Sequence, residues 1–358
     1  MFHGALLSFA ERWVICMKKI KIFDATLRDG SHAMRHQFSK AQIARYCDAI
    51  DRVGMTAIFV GHGNGLGASS LQVGISKLTD KEMLTTAKKH LKHTPLGAYL
   101  IPGFGTIRDD IDPAIEFGVK VFKVGCQCTE ADLTRQHIEY IKGCGKNVYG
   151  VLMMYHMTTT ERLLEEAQKM QGYGADGVII MDSAGASTPE LVKRTISTLS
   201  SKLNIEIGMH THNNLGMAVA NAYIAIQEGA TIIDGTIRGF GAGAGNCPIE
   251  VLLALLKKEG YHLNGIDWYR MLDVSDKVVS QFKEDRGIDS ISIVSGVSGV
   301  FSAFKPHVLA AAKEFGVDAK EIFMELGERK VMAGQEDMIL DIANEIKRRK
   351  ASNDALSF

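Results

Sequence analysis

The strongest constraint on how this chain can fold is a rhythm: short β-branched runs alternate with longer stretches of helical periodicity. Strand runs fall at 20–26, 56–61, 94–101, 119–125, 147–154, 176–182, 204–210 and 230–237. Between them, 40–53, 80–91, 129–142, 160–173, 188–202 and 216–228 carry i, i+3, i+4 apolar spacing and mostly end near Gly. Eight strand-helix units over about 240 residues match a (β/α)8 TIM barrel in count and size. A doubly wound open sheet is the rival, but no GxGxxG follows the first strand.

After Glu259 the strand rhythm stops, and helices are expected at 267–284, 299–315, 318–327 and 335–349. The expected organisation is an N-terminal extension at 1–18, a catalytic barrel at 19–262, an appended C-terminal helical domain at 263–350 and a tail at 351–358. Such helices can close over the barrel mouth, dock a partner or simply pack on the wall. Residues 1–16 are mildly apolar but interrupted by Glu11 and Arg12, which argues against a signal peptide; Met17 offers a cleaner start.

Two motifs lie just past predicted strand ends, where parallel α/β proteins place their active sites. They are Leu27-Arg28-Asp29-Gly30-Ser31-His32-Ala33 and His210-Thr211-His212-Asn213-Asn214. Residues i and i+2 of an extended strand share a side, so His210 and His212 can reach one ion while Thr211 faces away. Asp29 would complete the set. A carboxylate with two imidazoles suits Mn, Fe, Co or Zn better than Ca, and leaves positions for a substrate oxygen. Either motif alone reads as a salt bridge or surface histidines; their joint placement favours a metal site.

The chain of 358 residues has 41 basic and 41 acidic residues, so nothing draws it to nucleic acid or an anionic membrane. No run approaches the ~20 apolar residues of a membrane span. Six cysteines lie scattered without CxxC pairs, as expected of reduced thiols in a cytoplasmic protein. Cys126-Gln127-Cys128 has metal-motif spacing, but packing at a strand end is the simpler account.

Along the chain, LRDGSHA, Asp182-Ser183-Ala184-Gly185, HTHNN and Gly241-Ala242-Gly243-Ala244-Gly245-Asn246 make it resemble the divalent-metal pyruvate aldolases of the HMG-CoA-lyase-like superfamily. Within it, the resemblance is to the 4-hydroxy-2-oxovalerate aldolase family. It runs from about Lys19 to Arg349 and includes Leu326-Gly327-Glu328-Arg329-Lys330 and Gly334-Gln335-Glu336-Asp337-Met338. Claisen-type synthases carry Glu-Gln after RDG, whereas this chain carries Ser31-His32.

The resemblance implies cleavage of a 4-hydroxy-2-oxoacid to pyruvate and a short aldehyde, most simply acetaldehyde. It implies Mn2+ as the usual metal, with Co2+, Mg2+ or Zn2+ as alternatives. It also implies an oligomer, in complex with an acylating acetaldehyde dehydrogenase. His32 is then the proton acceptor, and Arg28 a permanent positive donor to the enolate oxygen. Substrate would lie along Arg28, Asp29, Ser183 and His210, with Ser183 donating to its carboxylate. Asn246, after a glycine-rich loop, is a further metal ligand or the cap of the 247–257 helix.

One position departs from the family. Where the resembling aldolases carry Gly-Val-Tyr-Ser, this chain has Gly299-Val300-Phe301-Ser302, a ring without the hydroxyl. Phe301 leaves the aldehyde half of the site open, with Tyr99 and Tyr155 as candidate phenols from other walls. A different aldehyde, a Claisen-type acyl-CoA reaction on the same barrel, or a scaffold for the dehydrogenase are the other functions considered.

Overall fold

The computed structural model describes residues 19–263, 265–282 and 288–356; the expected extension at 1–18 lies outside them. Eight parallel strands close into a barrel in sequence order. They are β1 (Lys21–Leu27), β2 (Ala57–Val60), β3 (Leu96–Leu100), β4 (Val121–Gln127), β5 (Asn147–Met153), β6 (Gly177–Asp182), β7 (Glu206–Thr211) and β8 (Ile232–Gly235). Five fall within an expected run, and β1, β4 and β7 overrun theirs by one or two residues at the C-terminal end.

Alternation along the strands builds two cores. Phe23, Phe59, Tyr149, Val151, Ile179 and Ile232 fill the interior, while neighbours such as Ile22, Ile58, Val148, Ile180 and Ile233 face the surrounding helices. The helices start where side chains can hold their free amides: Ser39 with Gln42 and Thr79 with Glu82 form reciprocal capping boxes.

A second cluster, centred on Phe304, Val308, Ile322, Phe323 and Ile342, forms a C-terminal four-helix unit. Its helices are Ser290–Ser298, Lys305–Phe315, Ala319–Glu328 and Asp337–Leu356. Helix Trp268–Lys277 instead shares the barrel's core through Met271 and Val274, as does Phe282, so barrel packing extends beyond residue 262.

The expected helix at 299–315 is replaced by one ending at Ser298 and another starting at Lys305. Gly299, at φ +69°, is a left-handed stop rather than a start, and Pro306 sits in the first turn of the next helix. The helical unit is stitched over the barrel mouth. Ser302 N–H donates to the Ser183 carbonyl at 3.0 Å, and its hydroxyl bonds Asn214 at 3.1 Å. Asn214 in turn donates to the Ser292 carbonyl at 3.1 Å.

Candidate active site

Arg28 and Asp29 leave β1 at the C-terminal mouth and enter a single helical turn, Gly30–Ala33. His210 faces inward near the end of β7, with His212 two residues on. All three side chains are buried, and one ligating atom from each of Asp29, His210 and His212 lies within 4.8 Å of the others. The donor set suits a divalent cation.

The hydrogen bonding supports that fit. Asp29 Oδ2 accepts from Arg28 Nη1 at 2.7 Å and Oδ1 accepts the Ala242 N–H at 3.0 Å, which fixes the carboxylate. His210 Nε2 and His212 Nδ1 are buried without a partner, and His210 Nε2 stands 3.9 Å from Asp29 Oδ2. Unsatisfied buried polar atoms cost about 1–3 kcal/mol each, so a cluster of them around one point marks a ligand.

Both side-chain polar atoms of Asn246 are also buried and unpartnered. The residue bridges to His212, while Pro248 occupies the cap position of helix Ile249–Lys258; Asn246 therefore belongs with the cluster. Gly241 makes room: a Cβ there would lie 2.6 Å from Asp29 Oδ1 and 2.7 Å from Asn246 Nδ2. Gly245, at φ +90°, takes a turn that side chains rarely adopt.

Electrostatics keep the donors ready. Burial alone would raise the Asp29 carboxyl, but Arg28, His212, His210 and His32 outweigh it and hold it well below the usual range. Burial lowers His212 to about 3, so its imidazole is neutral and has a lone pair to offer.

Behind His210 runs a buried relay that the motifs did not reveal. Asp234, beside it on β8, lies 2.9 Å from His210 Nδ1, and Lys123 reaches across from β4 to Asp234 at 2.7 Å. With Nδ1–H donating to the carboxylate, the Nε2 lone pair is turned toward Asp29. Lys123 packs 3.8 Å from the Phe59 ring centre, and burial lowers its ammonium to about 8. A Lys and an Asp breaking the apolar runs VFKV and IIDG were the available signal, since buried polar residues are the informative exceptions.

Arg28 stacks 4.9 Å above the Tyr99 ring and donates to the Gly63 carbonyl, while its Nε and Nη2 stay buried without partners. His32 lies against Gly63. Burial, reinforced by Arg28 and opposed by Asp29, lowers it to about 4, leaving a neutral imidazole able to accept a proton.

Next to it, His36 and His62 stack with ring centres 3.6 Å apart. Burial lowers His36 to about 2 and His62 to about 4. In the unfolded chain both would titrate near 6.5, so only that state gains protons as the pH drops below this value. Their contribution to stability is therefore full above about pH 6.5 and is lost as the pH falls toward the folded values. With metal chelated, the Tm is expected to fall between pH 7 and 5, and His62→Asn to fall less steeply. Parallel slopes would remove His62 from the explanation.

A half-open cavity of about 940 Å³ lies between these residues and the helical unit, lined by His32, Asn246, Phe301 and His307 among others. Arg28, Asp29, Ser183, His210 and His212 are buried and do not themselves line it; Ser183, joined through its carbonyl to the lining residue Ser302, accepts weakly at Oγ from Met154 N–H at 3.4 Å. Neither candidate tyrosine reaches the cavity: Tyr99 donates to Met153 Sδ at 3.1 Å inside the barrel, and Tyr155 packs in the outer core. Cys126 and Cys128 also pack there, and burial pushes both thiols up, which disfavours a metal-binding thiolate.

A closed parallel barrel presenting two histidines and a carboxylate at its C-terminal mouth defines a class of metal-dependent α/β-barrel enzymes. Comparison with known families narrows the class: residues 19–278 match the HMGL-like family and 286–348 the DmpG-like communication domain. A 4-hydroxy-2-oxovalerate aldolase of Pectobacterium atrosepticum is 50% identical over 94% of this chain and 98% of its own. One from Spirochaeta aurantia is 51% identical over 92% and 97%. The carboxyl transferase domain of Rhizobium etli pyruvate carboxylase, solved with pyruvate and biocytin, superposes with a TM-score of 0.78 at 15% identity, over 95% of this chain and 62% of that one, and shares the fold. The chain belongs to the 4-hydroxy-2-oxovalerate aldolase family, within the HMGL-like barrels. These relatives do not favour the Claisen-type or scaffold functions.

Among the described residues, no helix is long and apolar enough to cross a membrane.

Proposed function

We propose that this chain cleaves 4-hydroxy-2-oxovalerate to pyruvate and acetaldehyde in the cytoplasm, using Mn2+ held by Asp29, His210, His212 and Asn246. The observation that carries this is the buried set of unpartnered donors around Asp29, next to a cavity lined by Asn246 and by the neutral His32 imidazole. When bound, the cation supplies a Lewis acid for the developing enolate.

The chain's own groups do the rest. Arg28 offers Nε and Nη2 hydrogens to the 2-oxo oxygen, and Ser183 donates to the substrate carboxylate. His32 takes the C4 hydroxyl proton as the C3–C4 bond breaks; the bonding pair passes to the pyruvate half as its enolate, and the C4 oxygen becomes the aldehyde carbonyl. The helices after Ile288 would form the face that docks an acylating acetaldehyde dehydrogenase, which receives the aldehyde; the communication-domain match supports this.

The test is NMR detection of pyruvate methyl-proton exchange in D2O. Exchange is expected with Mn2+, is lost on chelation and returns with Mn2+. Failure of metal-loaded protein to exchange would count against pyruvate chemistry altogether.

A further inference from the structure

The aldehyde end of the cavity needs a second polar group. When the C3–C4 bond breaks, negative charge develops on the C4 oxygen as its proton leaves, and a fixed hydrogen-bond donor there lowers the barrier. Phe301 presents only a ring to this space.

Most of the polar groups around the cavity are already engaged. The Lys305 ammonium is tied to Asp289 at 2.7 Å and to Ser292 at 2.9 Å. Glu336 accepts from Gln72 and from Gly334 N–H, and Arg238 Nη1 lies 3.7 Å from Asp276. His36 Nδ1 meets Ser31 Oγ and Gly63 N–H. Arg35 is exposed to solvent.

His307 is different. It lines the cavity from the first turn of helix Lys305–Phe315 and has no hydrogen-bond partner among the described residues. Its place is set by the neighbouring Lys305 anchor and by Phe304 and Val308, both buried in the helical core. It shares this cavity with His32 and His36. An imidazole can donate through one nitrogen and accept through the other.

Resting on the aldolase function above, we infer that His307 is a second catalytic imidazole, donating a hydrogen bond to the C4 oxygen while His32 takes its proton. No electron moves through His307; its N–H steadies the oxygen as the carbonyl forms. In the condensing direction the same N–H polarises the incoming aldehyde, and protonated His32 returns the proton to the new hydroxyl. The C-terminal helical unit thereby supplies part of the active site as well as covering it.

The test compares two reactions of the full-length, Mn2+-loaded protein. Loss of a hydrogen bond to a charge-bearing oxygen costs roughly 1.5–3 kcal/mol, or about 10- to 100-fold in rate. His307→Ala is expected to lower kcat/KM for cleavage by that factor, while pyruvate methyl exchange falls by less than about threefold. His307→Gln, which keeps an amide N–H, should recover most of the cleavage. The retained exchange reports an intact fold and metal site. Cleavage by His307→Ala within about threefold of the parent, or a fall in exchange that matches the fall in cleavage, would overturn the inference. A parent protein that neither exchanges nor cleaves would overturn the aldolase function and this inference with it.

Discussion

Asp29→Asn is expected to lower kcat/KM for cleavage by about 10³- to 10⁴-fold, and with it pyruvate exchange. A Lewis acid is worth several kcal/mol at a developing enolate, and each 1.36 kcal/mol is a factor of ten. Asp29 is the charged member of the donor set, and its two oxygens are already aimed by Arg28 and the Ala242 N–H. Amide replacement removes the charge that compensates the cation and leaves the Arg28 guanidinium, 3% exposed, without its anionic partner. Uncompensated buried charge is strongly destabilising, so Tm and Mn2+ titration by electron paramagnetic resonance should accompany the kinetics. The expected result is a weakened Mn2+ site with secondary structure retained. Activity within about tenfold of the parent, at undiminished Mn2+ affinity, would remove Asp29 from the metal site.

How far the sequence could carry this depends on the range of the physics involved. The strand positions were legible because alternating apolar side chains report the two faces of a barrel wall within a few residues. The meeting of the two motifs was legible for the same reason: His210 and His212 share a side by strand geometry alone, and the structure brings them to Asp29.

What escaped depended on partners far apart in the chain. Lys123 and Asp234 are separated by 111 residues and meet only because β4 and β8 face each other across the closed barrel. The anchor between Ser302 and Asn214 spans 88 residues, and nothing in either segment names the other. Gly299 was misjudged for a local reason, since one glycine can sit within a helix or end it, and only the following turn decides which. The surroundings of the tyrosine candidates were likewise not legible. Tyr99 lies on the expected strand, but its hydroxyl spends its hydrogen bond on Met153 inside the barrel.

Those long-range contacts separate His32 from its histidine neighbours. His36 and His62 are stacked and bonded to backbone around the loops after β1 and β2, whereas His32, which borders the cavity as His36 does, stands outside that stack. Removing the proton acceptor from a general-base step costs typically 10²- to 10⁴-fold, so His32→Ala is expected to lower kcat for cleavage by about that amount. Mn2+ affinity should hold, because Asp29, His210, His212 and Asn246 remain. The ring leaves a hole against Gly63 that opens toward the cavity, so added imidazole should restore part of the rate, and more as its neutral fraction rises with pH. His36→Asn offers the contrast: its ring is held by Ser31 and Gly63, and its loss should act mainly on stability. Cleavage by His32→Ala within about threefold of the parent would pass the base role to another group. Loss without imidazole rescue but with weakened Mn2+ binding would instead make His32 a support of the metal site.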